Sequence, residues 1–368
     1  MRKLLIIMLG VLLATQAGQA ALPRLVIDDD DYVERVAQAS ASLKSDQKLV
    51  SSGVLRTEVQ TKGFALRPVP LSQHKLEGPE LCDRLRESTL AVGTYYKCPD
   101  CGEWHFNGSA GFVVGAGIVC TCCHVVLGED EGVKESYLVA ADATGHVYAV
   151  RSVLAADTAS DTCFLKLQDC ALRPLALRTE VRAGERVYCL SHPGGYYFMF
   201  TQGMVARLNQ RPNEVYDEHG HTNGLLTRPI LFLNVTAEFA PGSSGAPVVD
   251  EAGNVVGQVA SIADAGEPPL GDTNAPASPS VPVRFCTATE EILRLADPAL
   301  KASPGPPPEK AGPKSATHRP VGTSGRHRIC PRRREDLSED RQRGLHSKLV
   351  DPRAQYYRRR AIEPTTVI

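Results

Sequence analysis

From Thr89 onward the chain breaks into short β-rich runs parted by Gly, Asn and Asp, and this spacing constrains its fold more than any other feature. The runs fall at residues 111–114, 136–140, 146–153, 164–167, 186–190, 196–201, 230–235, 246–249 and 254–260. Runs of this length and spacing argue for all-β barrels rather than alternating strand–helix–strand units. Gly115-Ala116-Gly117 between two such runs reads as a hairpin turn. The last periodic segment, residues 287–296, predicts a closing helix, with Thr287 as N-cap and Glu290 completing a capping box.

Within this β frame, Gly242-Ser243-Ser244-Gly245-Ala246-Pro247 sets a serine between glycines ahead of Val248-Val249. Serine is a weak nucleophile unless a base takes its proton and amides await the oxyanion. Flanking glycines permit a tight turn and close approach of a carbonyl. The base is expected in Thr121-Cys122-Cys123-His124-Val125-Val126, just past a strand. The acid is expected in Asp161-Thr162-Cys163-Phe164-Leu165-Lys166-Leu167, where it opens a strand; Asp157 is the rival acid but has no strand directly after it. The order His124, Asp161, Ser244 is that of the two-barrel serine proteases, not of the α/β-hydrolases. A hydrolase order would need a histidine after Ser244, and the first is His318, in a segment with no folding signal.

These blocks resemble the trypsin-like serine proteases, most of all the bacterial HtrA/Deg-like branch. Residues 121–126 are similar to its T-x-x-H-V-V block, 161–167 to D-x-A-x-L-K-x, and 240–247 to N-P-G-N-S-G-G-P. Residues 184–195 resemble the opening of its second barrel, and Gly203-Met204-Val205 its G-x-V strand. The resemblance covers residues 88–296. It departs at the cysteines before His124, at Ala246 in place of a glycine, and in showing no PDZ-like segment after the domain. It implies two six-stranded antiparallel β-barrels with a short C-terminal helix, and a secreted serine endopeptidase using a His124–Asp161–Ser244 triad. The Gly242 and Ser244 amides are then the oxyanion hole, and protein or peptide is the substrate. Glu238 lies six residues before Ser244, where an acid selects Arg or Lys in trypsin itself, but Phe239 adjoins it and the HtrA-like branch favours aliphatic P1 groups. Residues 258–262, with Val259, Ala260 and Ser261 at their centre, are the implied substrate-facing wall. Ser243 stands where many digestive relatives carry an Asp that pairs with a new N-terminal amine, so activation of that type is not expected. The rival reading is a protease-fold adaptor that binds peptides without cutting.

The 368 residues divide, on this reading, into a signal peptide at 1–20, a polar leader at 21–87, the protease domain at 88–296 and a disordered tail at 297–368. The first 20 residues have a basic start, a short apolar core and small residues at the end, which predicts cleavage, a secreted or periplasmic location and no membrane span afterwards. The leader reads as a pro-segment, a spacer or an extra packed element. Its Asp28-Asp29-Asp30-Asp31 run lacks calcium-loop spacing and reads as a solvated charge run; Val33, Val36, Ala37 and Leu43, with the small Ser40 between them, share a helical face. The tail holds 16 Lys/Arg against 8 Asp/Glu, so at a net charge of −1 the remainder carries −9. Its basic residues are mixed with acids and accompany no nucleic-acid fold, so no nucleic acid is expected. No cofactor is expected. Eleven cysteines in a secreted chain suggest disulfides, with Cys330 left over. Cys98-Pro99-Asp100-Cys101 and Cys120-Thr121-Cys122-Cys123 also match a zinc spacing, with His105 nearby, but the second pair runs straight into His124, and no metal is assigned. His219 and His221 read as a solvated loop.

Overall fold

The computed structural model describes residues 26–59, 64–128, 132–216, 222–265 and 281–296. The expected signal peptide and tail, Cys330, His219 and His221 lie outside them. Two closed barrels follow one another in the chain, each of six antiparallel strands. The first contains β1 (Thr89–Lys97), β2 (Trp104–Gly115), β3 (Ile118–Thr121), β4 (Ser136–Ala141), β5 (Val147–Asp157) and β6 (Thr162–Leu167), in the order β1-β2-β3-β6-β5-β4. The second contains β7 (Arg186–Ser191), β8 (Met199–Tyr216), β9 (Thr222–Val235), β10 (Pro247–Val249), β11 (Val255–Ala265) and β12 (Val281–Ala288), in the order β10-β11-β12-β9-β8-β7. The expected fold class is therefore the one observed.

The strands alternate side chains between two buried faces. Leu90, Val92, Val113, Val119 and Leu165 fill the first barrel, and Val187, Cys189, Leu233, Val248 and Val256 the second. The alternate residues Ala91, Tyr95, Phe112 and Phe164 of the first barrel, with Tyr188 and Leu190 of the second, form a third cluster outside the barrels, which helices cover.

One of those helices is the leader. Helix α1 (Asp29–Ser45) starts at Asp28, whose side chain accepts from the Asp30 and Asp31 amides. Asp29 to Asp31 fill the first turn and Lys44 the last, each complementing the helix dipole. The acidic run thus caps a helix instead of being merely solvated. Tyr32, Val36 and Ser40 are buried, and Val33, Ala37 and Leu43 pack partly against the same cluster. Tyr32 Oη donates to Asp142 O in the first barrel at 3.0 Å, and its ring lies 4.6 Å from that of Tyr197, before β8. Asp29 Oδ1 accepts from the Tyr197 amide at 2.9 Å. The leader is accordingly a packed element that touches both barrels. Helices α2 (Ser52–Thr57) and α3 (Gly78–Arg86) complete it, burying Leu55 in one cluster and Leu81 and Leu85 in another.

Three expectations are corrected. The strand predicted at 196–201 begins only at Met199, because Pro193–Gly195 forms a 3-10 turn and Phe198 has a left-handed φ of 58°. The closing helix α5 (Thr289–Ala296) starts two residues later than predicted. Thr287 is not its cap: β12 runs on through Thr287, which pairs with Phe232 and Gln258, and its hydroxyl donates to Ser160 O. Finally, the expected disulfides do not form among the ten described cysteines.

Candidate active site

Pairing of β3 with β6 sets Thr121 opposite Cys163, so the chain after β3 and the chain before β6 emerge side by side. After β3 comes α4 (Cys123–Leu127), a single turn that carries His124. Before β6 stands Asp161, a non-glycine residue at φ 52°. Asp161 Oδ1 accepts from the His124 amide at 3.0 Å, and its Oδ2 lies 2.6 Å from His124 Nδ1. Two carboxylate contacts to one residue fix both the position of the histidine and the rotation of its ring. His124 Nε2 lies 2.8 Å from Ser244 Oγ. Asp157, the rival acid, is occupied elsewhere, accepting from the Ala159 amide and the Ser160 hydroxyl.

Ser244 comes from the loop before β10 and is buried, while the His124 side chain is 19% exposed. Close backbone packing holds that loop. Ser244 O accepts from the Ala110 amide at 2.8 Å, tying it to the first barrel. A Cβ on Gly245 would lie 2.2 Å from Ala110 O, and one on Gly242 would lie 2.6 Å from His192 O; both glycines have positive φ. Pro241 O accepts from the Gly194 amide at 2.7 Å. In a trans peptide this turns the Gly242 N–H to the opposite side. Ser243 is buried within the loop, its Oγ accepting from the Ala240 amide at 3.4 Å.

Two residues that the sequence placed only within larger blocks support these arms: His192 in 184–195, and Gln258, expected in the substrate-facing wall but fully buried. His192 is fully buried: Nδ1 accepts from the Phe198 amide at 3.0 Å, so Nε2 carries the proton and donates to Leu90 O at 3.2 Å. Burial pushes its pKa down to about 4. Gln258 of β11, also fully buried, donates to Asp161 O at 3.2 Å and to Cys122 Sγ at 3.1 Å, and accepts from the Cys120 thiol at 3.0 Å. Burial pushes the Cys120 and Cys122 thiols well above their ordinary range, keeping them neutral. A signal for Gln258 was present, an amide in an apolar strand, but nothing local showed that its partners come from the other barrel.

The expected specificity residues are spread around the same loop. Glu238 is exposed, and its carbonyl accepts from Thr201 Oγ1 at 2.8 Å. Phe239 is buried, with the Arg284 guanidinium 5.9 Å from its ring centre. Val259 and Ala260 are buried and Ser261 half-buried, at a register shift where β11 pairs with β12. Cys122, His124 and Asp161 also lie close enough together to hold a metal, but both imidazole nitrogens already face Asp161 and Ser244.

Two closed six-stranded antiparallel barrels, with a histidine and an aspartate from the first meeting a serine from the second, define the chymotrypsin-like architecture. Residues 108–257 match the family model described as trypsin-like peptidase domain. Similar curated proteins include the "Probable periplasmic serine endoprotease DegP-like" of Hahella chejuensis, 24% identical over 69% of this chain and 46% of its own length. The protein of the same description from Pseudomonas fluorescens is 28% identical over 40% of this chain and 28% of its own length. The chain therefore spans less than half the length of either. Among solved structures, the active form of the Rv3671c protease from M. tuberculosis is similar at 20% identity and a TM-score of 0.43, over 71% of this chain and 96% of that one.

Proposed function

We propose that residues 88–296 form a serine endopeptidase in which Ser244, His124 and Asp161 carry the chemistry. The observation that supports this most is the unbroken contact from Asp161 Oδ2 through His124 to Ser244 Oγ, at 2.6 and 2.8 Å. In the proposed cycle His124 Nε2 takes the Ser244 proton as Oγ attacks a peptide carbonyl. Asp161 holds the Nδ1–H tautomer and stabilises the imidazolium that forms. The oxyanion falls to the Gly242 and Ser244 amides, each such donor contributing about 3 kcal/mol. His124 then returns its proton to the leaving amine, and water repeats the sequence on the acyl-enzyme.

The substrate is protein or peptide, as befits the family, and on this proposal it adds as a strand along residues 259–261. The exposed position of Glu238 and the Arg284 guanidinium beside Phe239 favour an uncharged P1 side chain over Lys or Arg. The buried Ser243 supports a site that needs no new amine terminus to form. The signal-like first 20 residues and the periplasmic description of the DegP-like relatives support a secreted or periplasmic location. Among the described residues no helix is long and apolar enough to cross a membrane.

A fluorophosphonate probe tests the proposal. Labelling of the native chain should vanish in Ser244→Ala, with kcat on a cleaved peptide falling at least about 10⁴-fold. Folded native protein that neither labels nor cuts would instead be the peptide-binding adaptor.

A further inference from the structure

Cys98, Cys101 and His105 stand together at the far end of the β1–β2 hairpin, outside the peptidase machinery. All three ligand atoms lie within 4.8 Å of one another, and Cys101 Sγ is 3.1 Å from His105 Nε2. The register explains the convergence. Tyr96 on β1 pairs with His105 on β2, so the two side chains share a face, and Cys98, two residues past Tyr96, returns to it. The turn then brings Cys101 back: the Gly102 amide donates to Cys98 O at 2.9 Å, the Cys98 amide donates to Glu103 O at 2.8 Å, and Gly102 takes a φ of 73°. Cys98 is buried with Tyr96 in a small cluster of its own, with Cys101 and Val133 packed against it.

We propose that Cys98, Cys101 and His105 bind a zinc ion. Two thiolates and an imidazole form a borderline-soft donor set that suits zinc, and the Cys-x-x-Cys spacing is that of structural zinc turns. Around tetrahedral zinc, bond lengths of about 2.3 Å to sulfur and 2.0 Å to nitrogen place sulfur and nitrogen about 3.5 Å apart and two sulfurs about 3.8 Å apart. Cys101 Sγ and His105 Nε2, at 3.1 Å, already lie within about half an ångström of that separation, and Cys98 Sγ lies within 4.8 Å of both. Binding releases the two thiol protons, and solvent takes the fourth position. The alternative pairing with Cys120 and Cys123 is closed off. Cys120 donates to Gln258 Oε1 and Cys123 to Thr162 O, and both thiols are buried. A disulfide between Cys98 and Cys101 would use both sulfurs yet give no reason for an imidazole against one of them.

The ion would pin the hairpin end to the chain entering β4. The Lys97 amide already donates to Glu135 O there at 3.0 Å, and Pro99 lies against Gly132.

The test uses the full chain, purified under reductant, stripped with a chelator and then titrated with zinc alone. About one tightly held zinc per chain is expected. Zinc should shield Cys98 and Cys101, and no other cysteine, from alkylation mapped by mass spectrometry. Cobalt in its place should give a thiolate-to-metal charge-transfer band. Cys101→Ser should abolish tight binding, and His105→Ala should weaken it by more than about tenfold. The alkylation map needs no variant and so stands even where one misfolds. Folded, reduced chain that takes up no zinc would overturn the proposal. So would zinc retained in a folded Cys98→Ser/Cys101→Ser variant, or a Cys98–Cys101 disulfide in chain offered zinc without reductant.

Discussion

Acid should loosen this protein through His192. Its Nδ1 accepts from the Phe198 amide, so protonation would set two donors against each other 3.0 Å apart. The ring also packs tilted against Tyr197 and edge-on against Phe198, at 5.3 and 4.6 Å, with no exposure to water. Its pKa falls to about 4 in the fold, against 6.5 for free histidine. The unfolded chain therefore takes up a proton through pH 6.5 that the folded chain refuses until about pH 4, and stability is lost as pH falls across that window. At about 1.36 kcal/mol per pKa unit the loss is about 1.4 kcal/mol at pH 5.5, about 2.6 at pH 4.5, and about 3.4 once both states are protonated. Denaturant midpoints at pH 7.5, 5.5 and 4.5, measured at constant ionic strength on the native chain and on His192→Gln, isolate this effect. Carboxylates such as Asp29 are common to both proteins and cancel. The stability gap between the two should change by about 2.5 kcal/mol from pH 7.5 to 4.5, the native chain losing more. Parallel pH slopes, or a His192 ring proton that titrates near pH 6.5, would show that the imidazole is not held neutral in this way.

Substitutions at three further positions probe the site and the fold around it. Gly242→Ala puts a Cβ 2.6 Å from His192 O at a φ of 97°; if Gly242 N–H serves the oxyanion as proposed, kcat/KM should fall about 10²- to 10³-fold, read on a chromogenic peptide. Gln258→Leu leaves Asp161 O and two buried thiols without their amide partner. It should cost about 1–3 kcal/mol in denaturant melts and lower kcat while KM holds. Tyr32→Ala should destabilise by about 4 kcal/mol and Tyr32→Phe by about 1, and a native melting curve for the alanine variant would mean that the leader helix is not integral to the fold.

The residues of the candidate site were legible because the proposed chemistry tolerates few residue types. A serine between glycines, a histidine after one strand and an aspartate before another are recognisable one block at a time, and the barrel class followed from strand spacing. What escaped depends on partners far away in sequence. Strand β1 is buried on both faces from Thr89 to Tyr96, so it lacks the alternation that marks a half-buried strand. Strand β12 carries Pro282 and Arg284 near its start and reads as loop until Leu233 and Val259 pair with Cys286. The leader looked polar because only one narrow stripe of α1 meets the core, and nothing local reveals that Asp142 and Tyr197 are waiting for it.

The departures of the histidine block from its relatives then acquire a physical reason. Asp161 holds a left-handed backbone that costs a non-glycine residue about 1–2 kcal/mol. Such strain persists only where surroundings over-determine it. Here the Cys123 amide and the Gln258 side chain both donate to Asp161 O, while the His124 amide takes its carboxylate. Gln258 is in turn held by the thiols of Cys120 and Cys122, and Cys122 Sγ donates to Val259 O in the neighbouring wall. These cysteines therefore act as small neutral donors and acceptors that couple the histidine arm of one barrel to strand β11 of the other. An apolar residue at 122 would leave the Gln258 amide and Val259 O short of a partner, and a disulfide there would withdraw the thiol from both. A displacement of β11, the strand proposed to receive substrate, would pull on Asp161, the proposed catalytic acid, through Gln258.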